Sequence, residues 1–240
     1  MRKTVLITGS GNGIGEALAL EFSNNNYNVI IHARKQAELE ELSKKISEKG
    51  VACYYIQGDL RNDKTLYDLY TIAKEKDISI LINNAAKRCP GVYFEEIIKE
   101  DLDDLIRVSI YVPIRLTQMI YPIFQSKMEG AIVNINSITA LEPKKLRSIS
   151  SAVKYGLRGF TDCLRIEARS YNIKLIGVYL TRVKTKPEHE YGIDRYDIAA
   201  EIYRACESSL VENIIFEGRP EKYRTKDMTK YTTMELKNEQ

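Results

Sequence analysis

Two hydroxyls and one amine are spaced along the chain in a way that could support proton transfer. Ser150 and Lys154 are four residues apart in the stretch SISSAVKYGLRGF, and Ser137 lies thirteen residues before Ser150. A separation of four places Ser150 and Lys154 on one face of a helix, one turn apart. An aliphatic hydroxyl has a pKa near that of water, about 15.7, so Ser150 is a poor direct acid but could hold a water molecule that donates the proton.

A glycine-rich turn at residues 8–15, TGSGNGIG, could bind phosphate. It follows an apolar run and precedes a helical pattern, so it forms a β–α turn. In a dinucleotide site, glycines allow the tight turn, the close approach of the backbone to the pyrophosphate and the packing of the helix on the strand. We therefore predict that Gly9, Gly13 and Gly15 bind a dinucleotide; a tight turn with no ligand is the alternative.

The residues at the end of the second apolar run indicate which dinucleotide is bound. An NAD site usually has an acidic residue there, which accepts hydrogen bonds from the ribose 2′-hydroxyl. This chain has Ala33, Arg34 and Lys35 instead. Two cations favour a 2′-phosphate, which an arginine can bind with two parallel hydrogen bonds. The sequence thus predicts NADP rather than NAD, with the alternative that Arg34 and Lys35 merely begin a solvated helix.

Short apolar runs alternate with longer amphipathic segments along the chain. The apolar runs are rich in Ile, Val and Tyr and mostly continuous, as strands buried on both faces are. This alternation predicts an α/β fold, a Rossmann-like, doubly wound parallel sheet of about seven strands with helices on both faces. We predict strands at 4–8, 27–33, 53–58, 78–84, 131–136, 173–180 and 213–217, and helices at 14–25, 36–49, 63–76, 100–126, 151–170 and 197–209, the last capped by Asp197.

The composition of the 240-residue chain argues against several classes of function. It has 36 basic and 33 acidic residues, and this balance gives no electrostatic case for nucleic acid or anionic lipid. No apolar run approaches the roughly 20 residues that span a bilayer. Four well-separated cysteines and two histidines argue against a metal site and fit reduced thiols in a cytoplasmic protein.

Several motifs occur together in the order that the short-chain dehydrogenase/reductase (SDR) family shows. TGSGNGIG fits the family's T-G-x-x-x-G-x-G, NNAA at 83–86 resembles its N-N-A-G, and Ser137 and Lys154 fall at its serine and lysine. The resemblance implies one dinucleotide-binding domain over residues 1–218, with a short substrate loop at 182–196. The charged tail, 219–240, lacks apolar periodicity and lies outside the resemblance.

Two positions of the family's catalytic tetrad hold a different residue. Ser150 occupies the position of the tyrosine that exchanges a proton with the substrate oxygen, and Ser109 that of the asparagine on the long helix. Any residue at 109 supplies a backbone carbonyl, which Pro113 leaves without an N–H partner, so a water relay could persist there. A phenol has a pKa about five units below that of an alkyl hydroxyl, on the order of 7 kcal/mol, so Ser150 cannot replace the tyrosine directly.

The positions that hold the cofactor in the family remain. The resemblance implies that Ser137 hydrogen-bonds the substrate carbonyl, Lys154 grips the nicotinamide ribose and Thr185 bonds the carboxamide. It also implies that Asp59 and Leu60 flank the adenine. The complete set of implied cofactor positions is Gly9, Ser10, Asn12, Gly13, Ile14, Gly15, Arg34, Lys35, Asp59, Leu60, Asn83, Ala85, Lys154 and Thr185.

Another tyrosine could supply the missing proton. Tyr179 is the first candidate, because it lies at the C-terminal end of the sixth predicted strand, where ligands bind in such sheets. Tyr155 lies about 140° round the helix from Ser150 and should face away. Tyr111 and Tyr191 are less constrained candidates. The alternative for Tyr179 is a packing role.

Three functions are compatible with these observations. The first is an NADP-dependent oxidoreductase of a small carbonyl or alcohol substrate with a non-standard proton donor. The second is a catalytically impaired NADP(H)-binding subunit or sensor that pairs with an active relative. The third is a non-redox dehydration or isomerisation that uses Ser137, Ser150 and Lys154. Loss of a general acid costs about 10²- to 10⁴-fold in rate, which leaves room for slow turnover in the first.

The resemblance also implies assembly. Family members pair through two long helices, here 100–126 and 151–170, so we expect a homodimer or homotetramer, or a heteromer with an active relative. The segments expected to line the substrate pocket are 87–94, 138–147 and 182–196. Basic residues in the first two suggest an anionic small-molecule substrate, with solvated loop charge as the alternative. These residues are Lys87, Arg88, Lys144, Lys145 and Arg147.

Overall fold

A parallel sheet forms the centre of the protein. The computed structural model describes residues 2–89, 91–184, 190–208 and 210–220. The strands within these ranges are β1 Thr4–Ile7, β2 Asn28–Ala33, β3 Cys53–Gln57, β4 Ile80–Asn83, β5 Gly130–Ser137, β6 Ile173–Leu180, β7 Val183–Lys184, β8 Ile193–Asp194 and β9 Asn213–Phe216. Seven of them pair, all in parallel, in the order β3-β2-β1-β4-β5-β6-β9, while β7 and β8 form a separate pair.

Helices cover both faces of the sheet, because its strands are apolar on both sides. The described helices are α1 Gly13–Asn24, α2 Gln36–Ser47, α3 Asp63–Glu75, α4 Lys99–Ile106, α5 Val112–Lys127, α6 Ser148–Ala168 and α7 Arg195–Glu207. Successive strand residues point to opposite faces. Val5 and Ile7 accordingly join one buried cluster with α1, α2 and α7, and Leu6 joins a second cluster with α3 and α5. The predicted doubly wound sheet is confirmed.

Two helices begin two or three residues earlier than the apolar pattern predicts. α6 starts at Ser148 instead of 151, which places Ser150 in its first turn. α7 starts at Arg195, because the Asp194 carboxylate accepts the Tyr196 N–H at 2.7 Å. The predicted cap, Asp197, is therefore wrong; this residue lies in the first turn, where an acidic side chain complements the helix dipole.

The long helix predicted over 100–126 is divided by a π turn. α4 ends at Ile106, Arg107–Tyr111 form the π turn, and α5 begins at Val112. Pro113 has no N–H to donate, so the regular ladder of hydrogen bonds must change one turn before it. The π turn contains Ser109, which is buried.

The order of the strands opens a crevice at one edge of the sheet. β1 lies between β2 and β4, so the chain moves outward from β1 to β3 and then returns to the other side of β1. The loops that leave the carboxyl ends of β1 and β4 therefore diverge, and ligands bind in crevices of this type. The glycine-rich turn follows β1 and the NNAA segment follows β4, so both lie at this crevice.

The outer surfaces of α4 and α6 expose several apolar side chains. Ile106, Tyr155 and Ile166 are the examples on these two helices. Assembly through helices 100–126 and 151–170 stays a prediction. No helix within the described ranges is long and apolar enough to cross a membrane.

Candidate active site

The glycine loop is packed so closely that side chains would not fit at two of its positions. Gly9 and Gly13 have left-handed backbones, with φ of 65° and 62°. A Cβ added to Gly9 would lie 3.0 Å from the Ala85 Cα, and one added to Gly15 would lie 2.3 Å from the Gly9 carbonyl oxygen. The loop thus forms a tight backbone cradle at the amino end of α1, the arrangement that binds a pyrophosphate.

A buried histidine ties this loop to the ends of β2 and β3. The His32 Nδ1 accepts the Gly9 N–H at 3.2 Å, so Nε2 carries the proton and donates to the Gly58 carbonyl, also at 3.2 Å. Burial lowers the pKa of His32 to about 4, which keeps the ring neutral. Counting histidines as metal ligands misses this role, and the only sequence signal for it is the position near the end of β2.

Ser10 supports the loop instead of facing a ligand. It is fully buried; its N–H donates to the His32 carbonyl at 2.8 Å, and its hydroxyl accepts the His32 N–H at 2.8 Å. Both polar groups are thus occupied within the protein, and the predicted contact between Ser10 and a cofactor stays a prediction. Asn12 is exposed and Ile14 half-buried at the start of α1, and their predicted contacts stay predictions.

The two asparagines of NNAA have different roles. The Asn84 side-chain amide donates to the carbonyls of Thr8 and Gly9, each at 2.9 Å, and so joins the NNAA segment to the glycine loop. Asn83 is buried within the sheet, where its amide donates to the Asn134 Oδ1 at 2.9 Å. Asn83 thus supports the crevice from inside, and its predicted contact with a cofactor stays a prediction. The repeated Asn was the available signal for Asn84.

The end of β2 presents one arginine without an acidic partner. Arg34 is exposed and no described carboxylate pairs with it, whereas Lys35 pairs with Glu38 at 3.3 Å. The Glu38 carboxylate also reaches the glycine loop, since a Cβ added to Gly11 would lie 2.3 Å from its Oε2. Sequence reasoning missed Glu38 because the residue lies inside α2. Arg34 therefore fits the prediction of a phosphate ligand better than Lys35 does.

Asp59 belongs to a chain of ion pairs beside the crevice. Its carboxylate pairs with Arg61 at 2.7 Å, Arg61 reaches Asp104 at 3.1 Å, and Asp104 pairs with Lys87 at 3.2 Å. The hydrogen bonds from Arg61 lower the pKa of Asp59, so its carboxylate stays ionised and can accept further donors. The Leu60 side chain is buried in the core, so only the backbone of that residue can face an adenine.

A pocket of about 430 Å³ opens at the carboxyl ends of β5 and β6. Ser137, the last residue of β5, and Ser150, in the first turn of α6, both line it. The Ser137 hydroxyl accepts the Thr139 N–H at 3.3 Å. Two serines that are thirteen residues apart in sequence therefore share one pocket. Its other lining residues are Arg88, Cys89, Ile138, Thr139, Lys144, Arg147, Thr181, Arg182, Tyr191 and Arg219.

Lys154 lies one turn along α6 from Ser150. Its side chain is partly buried, and no carboxylate in the described part of the chain pairs with the ammonium. Burial lowers the pKa of Lys154 to about 8, so the amine is still mostly protonated at neutral pH. The Asn136 amide donates to the Lys154 carbonyl at 3.1 Å and fixes this turn of α6 on β5. An ammonium has three donors, and one without a carboxylate partner among the described residues is suited to bind ribose hydroxyls.

Ser109 and Thr185 complete the set of predicted positions. The Ser109 hydroxyl accepts the Lys87 N–H at 3.2 Å, so this side chain holds the loop that follows NNAA. The water relay through the backbone carbonyl of Ser109 stays a prediction. Thr185 lies outside the described residues, as do the rest of 185–189 in the substrate loop and 221–240 in the tail.

The position of Tyr179 favours the packing role, the alternative to proton donation. Its side chain is buried and packs with Ile138, Ala140 and Leu141. Burial raises the pKa of Tyr179 to about 12, and the residue does not line the pocket. Alternation along β6 turns this ring to the α6 face, a direction that its sequence position near the strand end does not reveal.

The other candidate tyrosines lie in different environments. The Tyr155 hydroxyl donates to the Leu141 carbonyl at 3.0 Å, and Tyr111 lies against the Arg107 guanidinium, 4.1 Å from ring centre to carbon. Among the residues that the structure describes, Tyr191 is the tyrosine that lines the pocket with Ser137 and Ser150.

The basic loop residues also divide into two groups. Arg88, Lys144 and Arg147 line the pocket, as expected for an anionic substrate. Lys87 instead pairs with two aspartates, and Lys145 lies over the Tyr93 ring. Arg182, the first residue of the predicted substrate loop 182–196, also lines the pocket. Arg219 lines it too and was missed, because it follows β9 in the segment predicted to be a charged tail.

Sequence comparisons match this chain to dehydrogenases and reductases. The short chain dehydrogenase family model matches residues 3–195. An NADP-dependent 3-hydroxy acid dehydrogenase of Schizosaccharomyces pombe is 29% identical over 88% of this chain and 83% of its own. A very-long-chain 3-oxoacyl-CoA reductase of Coccidioides immitis is also 29% identical, over 73% of this chain, which spans only 52% of that relative.

Solved structures agree with these sequence matches. A ketone-specific alcohol dehydrogenase from Comamonas testosteroni superposes with a TM-score of 0.82 at 26% identity, over 89% of this chain and 85% of that one. A short-chain dehydrogenase from Sphingobium yanoikuyae, in complex with NADPH, superposes with a TM-score of 0.80 at 26% identity, over 89% and 87% of the two chains.

Proposed function

The chain belongs to the short-chain dehydrogenase family, and from that premise we propose that it is an NADP(H)-dependent oxidoreductase of a small carbonyl or alcohol substrate, with a non-standard proton donor. The observation that carries this proposal is the pocket shared by Ser137 and Ser150, one helical turn from Lys154, whose ammonium pairs with no carboxylate in the described ranges. A relative named as NADP-dependent and a similar structure in complex with NADPH support the choice of cofactor.

The residues present fit an NADP(H) molecule. The glycine loop would hold the pyrophosphate at the amino end of α1, Arg34 the 2′-phosphate and Lys154 the nicotinamide ribose. The Glu38 carboxylate beside Gly11 repels a phosphate bound nearby. The Lys35 ammonium, 3.3 Å from that carboxylate, partly neutralises its charge. When bound, the nicotinamide supplies a hydride to the carbonyl carbon, or takes one from the alcohol.

The protein's own part in the reaction is to orient the carbonyl and to move one proton. We assign to Ser137 the hydrogen bond to the carbonyl oxygen. In reduction, the oxygen must take one proton as the carbon takes the hydride, so that carbonyl becomes alcohol and the reduced cofactor becomes oxidised. A water molecule held by Ser150 relays that proton from bulk solvent and is reprotonated by it, because the serine side chain is short and its hydroxyl, like a lone water, is too weak an acid to act by itself. Tyr191 is the second possible source, since it lines the same pocket.

Calorimetry and a reduction assay test the proposal. The purified chain should bind NADPH more tightly than NADH and should slowly reduce a panel of small ketones. Ser137→Ala should lower kcat/KM by about 10²-fold, as removal of one oxyanion donor does. The matched control Ser126→Ala changes an exposed serine on α5 and should leave the rate unaltered. Tyr191→Phe separates the two proton sources, because only the Tyr191 route loses rate.

Two outcomes would change the conclusion. Failure to bind either nucleotide would reject a nicotinamide-dependent function altogether. NADPH binding without any turnover would instead favour the impaired subunit or sensor, the function that Ser150 at the tyrosine position suggests.

A further inference from the structure

The pocket that contains Ser137 and Ser150 is lined by cations from four separate segments. Arg88 follows β4, Lys144 and Arg147 precede α6, Arg182 follows β6, and Arg219 follows β9. No aspartate or glutamate is among the described residues that line it. Segments that are distant in sequence thus bring positive charge to one place, which a single solvated loop would not do.

One of these five cations is neutralised by the protein itself. Arg219 pairs with Glu142 at 3.0 Å and also with Glu217. The four remaining cations at this pocket carry more positive charge than the formal net charge of the whole chain, which is +3. No described carboxylate forms an ion pair with any of them, and they are Arg88, Lys144, Arg147 and Arg182.

Two of the four are held in place without loss of charge. The Arg147 Nη1 donates to the Cys89 carbonyl at 2.9 Å. The Arg182 guanidinium lies over the Tyr191 ring, 4.4 Å from its centre. Each contact occupies only part of a guanidinium that has five N–H donors, so both arginines retain donors for a ligand. Positioned charges of this kind lose less conformational freedom when an anion binds.

A buried hydroxyl at the same pocket also lacks a partner. Thr139 is only 8% exposed and lines the pocket. Its Oγ1 makes no hydrogen bond with any described residue. Buried polar groups are nearly always hydrogen-bonded, so this hydroxyl in the pocket wall is an exception, although its oxygen is itself buried.

We infer that this pocket binds an anionic substrate, a small carbonyl compound or alcohol that carries a phosphate group. The inference rests on the proposed function for the reacting group, but the binding of the anion does not depend on turnover. Arg147 and Arg182, with Arg88 and Lys144, bind the phosphate oxygens while Ser137 faces the carbonyl. Four cations that pair with no described carboxylate favour a doubly charged phosphate over a single carboxylate.

Matched pairs of ketones test this inference on the NADPH-loaded protein. Dihydroxyacetone phosphate should bind at least about tenfold more tightly than dihydroxyacetone in calorimetry, and the difference should shrink as salt is added. The ratio of the affinities for acetoacetate and acetone measures the effect of a carboxylate, and we expect it to be smaller than the ratio for the phosphate pair. Arg147→Gln and Lys144→Gln should each lower the affinity for the phosphate compound about tenfold, and Arg147→Lys should lose less. Lys49→Gln, which removes an exposed charge next to α2, should change nothing.

Each alternative result has a distinct meaning. Equal affinity for charged and neutral ketones would overturn the inference. Weaker NADPH binding in Arg147→Gln and Lys144→Gln, with probe affinity unchanged, would overturn it too, because the cations would then serve the cofactor. A larger ratio for acetoacetate than for the phosphate compound would overturn the choice of phosphate. Tight anion binding without reduction would leave the anion site standing and reject the oxidoreductase function instead.

Discussion

The substitution Ser150→Tyr tests most directly what limits this site. Ser150 lies in the first turn of α6 and lines the pocket with Ser137, so a phenol there would extend into a space of about 430 Å³. Lys154 follows one turn later with a pKa of about 8. The variant would therefore place an ionisable phenol beside a cation that is still protonated at neutral pH.

The acidity of a phenol relative to an alkyl hydroxyl sets the size of the expected gain in kcat/KM. A phenol has an unperturbed pKa of about 10, against about 15.7 for a hydroxyl like that of water. The difference is on the order of 7 kcal/mol of proton-donating strength, and the Lys154 cation would add to it by stabilising the phenolate. Enzymes realise about 10²- to 10⁴-fold from a positioned general acid. We expect the kcat/KM for ketone reduction to rise by at least about 10²-fold in Ser150→Tyr.

The assay follows the loss of NADPH absorbance at pH 7 over a panel of ketones. Ser150→Phe is the matched control, because it adds the same ring without the hydroxyl and should show no gain. Adding Lys154→Met to Ser150→Tyr should abolish most of the gain. NADPH affinity, measured separately by calorimetry, should be the same in wild type and Ser150→Tyr, so that any rate change reports on the proton.

One result would refute this reasoning. If wild type reduces a ketone briskly and Ser150→Tyr is slower, while Ser150→Phe behaves like Ser150→Tyr, the serine belongs to a dedicated mechanism in which a phenol only obstructs. The proton would then come from another group, of which Tyr191 is the one to change next.

Three further predictions concern the cofactor groups and the loop. Arg34→Asp should weaken NADPH binding about tenfold or more in calorimetry while sparing NADH, because it removes the cation for the 2′-phosphate; equal losses would contradict the assignment. Lys154→Met should stabilise the ligand-free protein below pH 8, since the fall in the pKa of Lys154 from 10.5 to about 8 corresponds to about 3 kcal/mol. In thermal melts, the higher stability of Lys154→Met should disappear as the pH rises from 8 to 10.5. A stability difference that does not change with pH would argue against the lowered pKa of Lys154. Wild type should lose about 2 kcal/mol of unfolding free energy between pH 7 and pH 5 through His32, because the unfolded state binds the proton near pH 6.5 and the folded state only near pH 4. His32→Gln should remove this loss in urea titrations, and an unchanged pH dependence would place its origin elsewhere.

Much of the fold followed from local pattern. Continuous apolar strands of Ile, Val and Leu must be buried on both faces, and this property alone predicts a parallel sheet between two helix layers. The register of Ser137, Ser150 and Lys154 followed in the same way, since helical spacing and the position after a strand are local properties. Where a pattern boundary was wrong, as at Asp197, the helix was extended by a capping bond that apolar periodicity does not record.

The sequence by itself determined the fold class, the glycine turn and the absence of a phenol at position 150. Only the tertiary structure decided that His32 and Asn84 hold the glycine loop, that Tyr179 is a core residue, and that Arg219 joins Arg88 and Arg147 at one pocket. The physical reason is the range of the interactions. Turns and helix faces depend on residues a few positions apart, whereas these contacts join strand ends that the parallel crossovers bring together from distant parts of the chain.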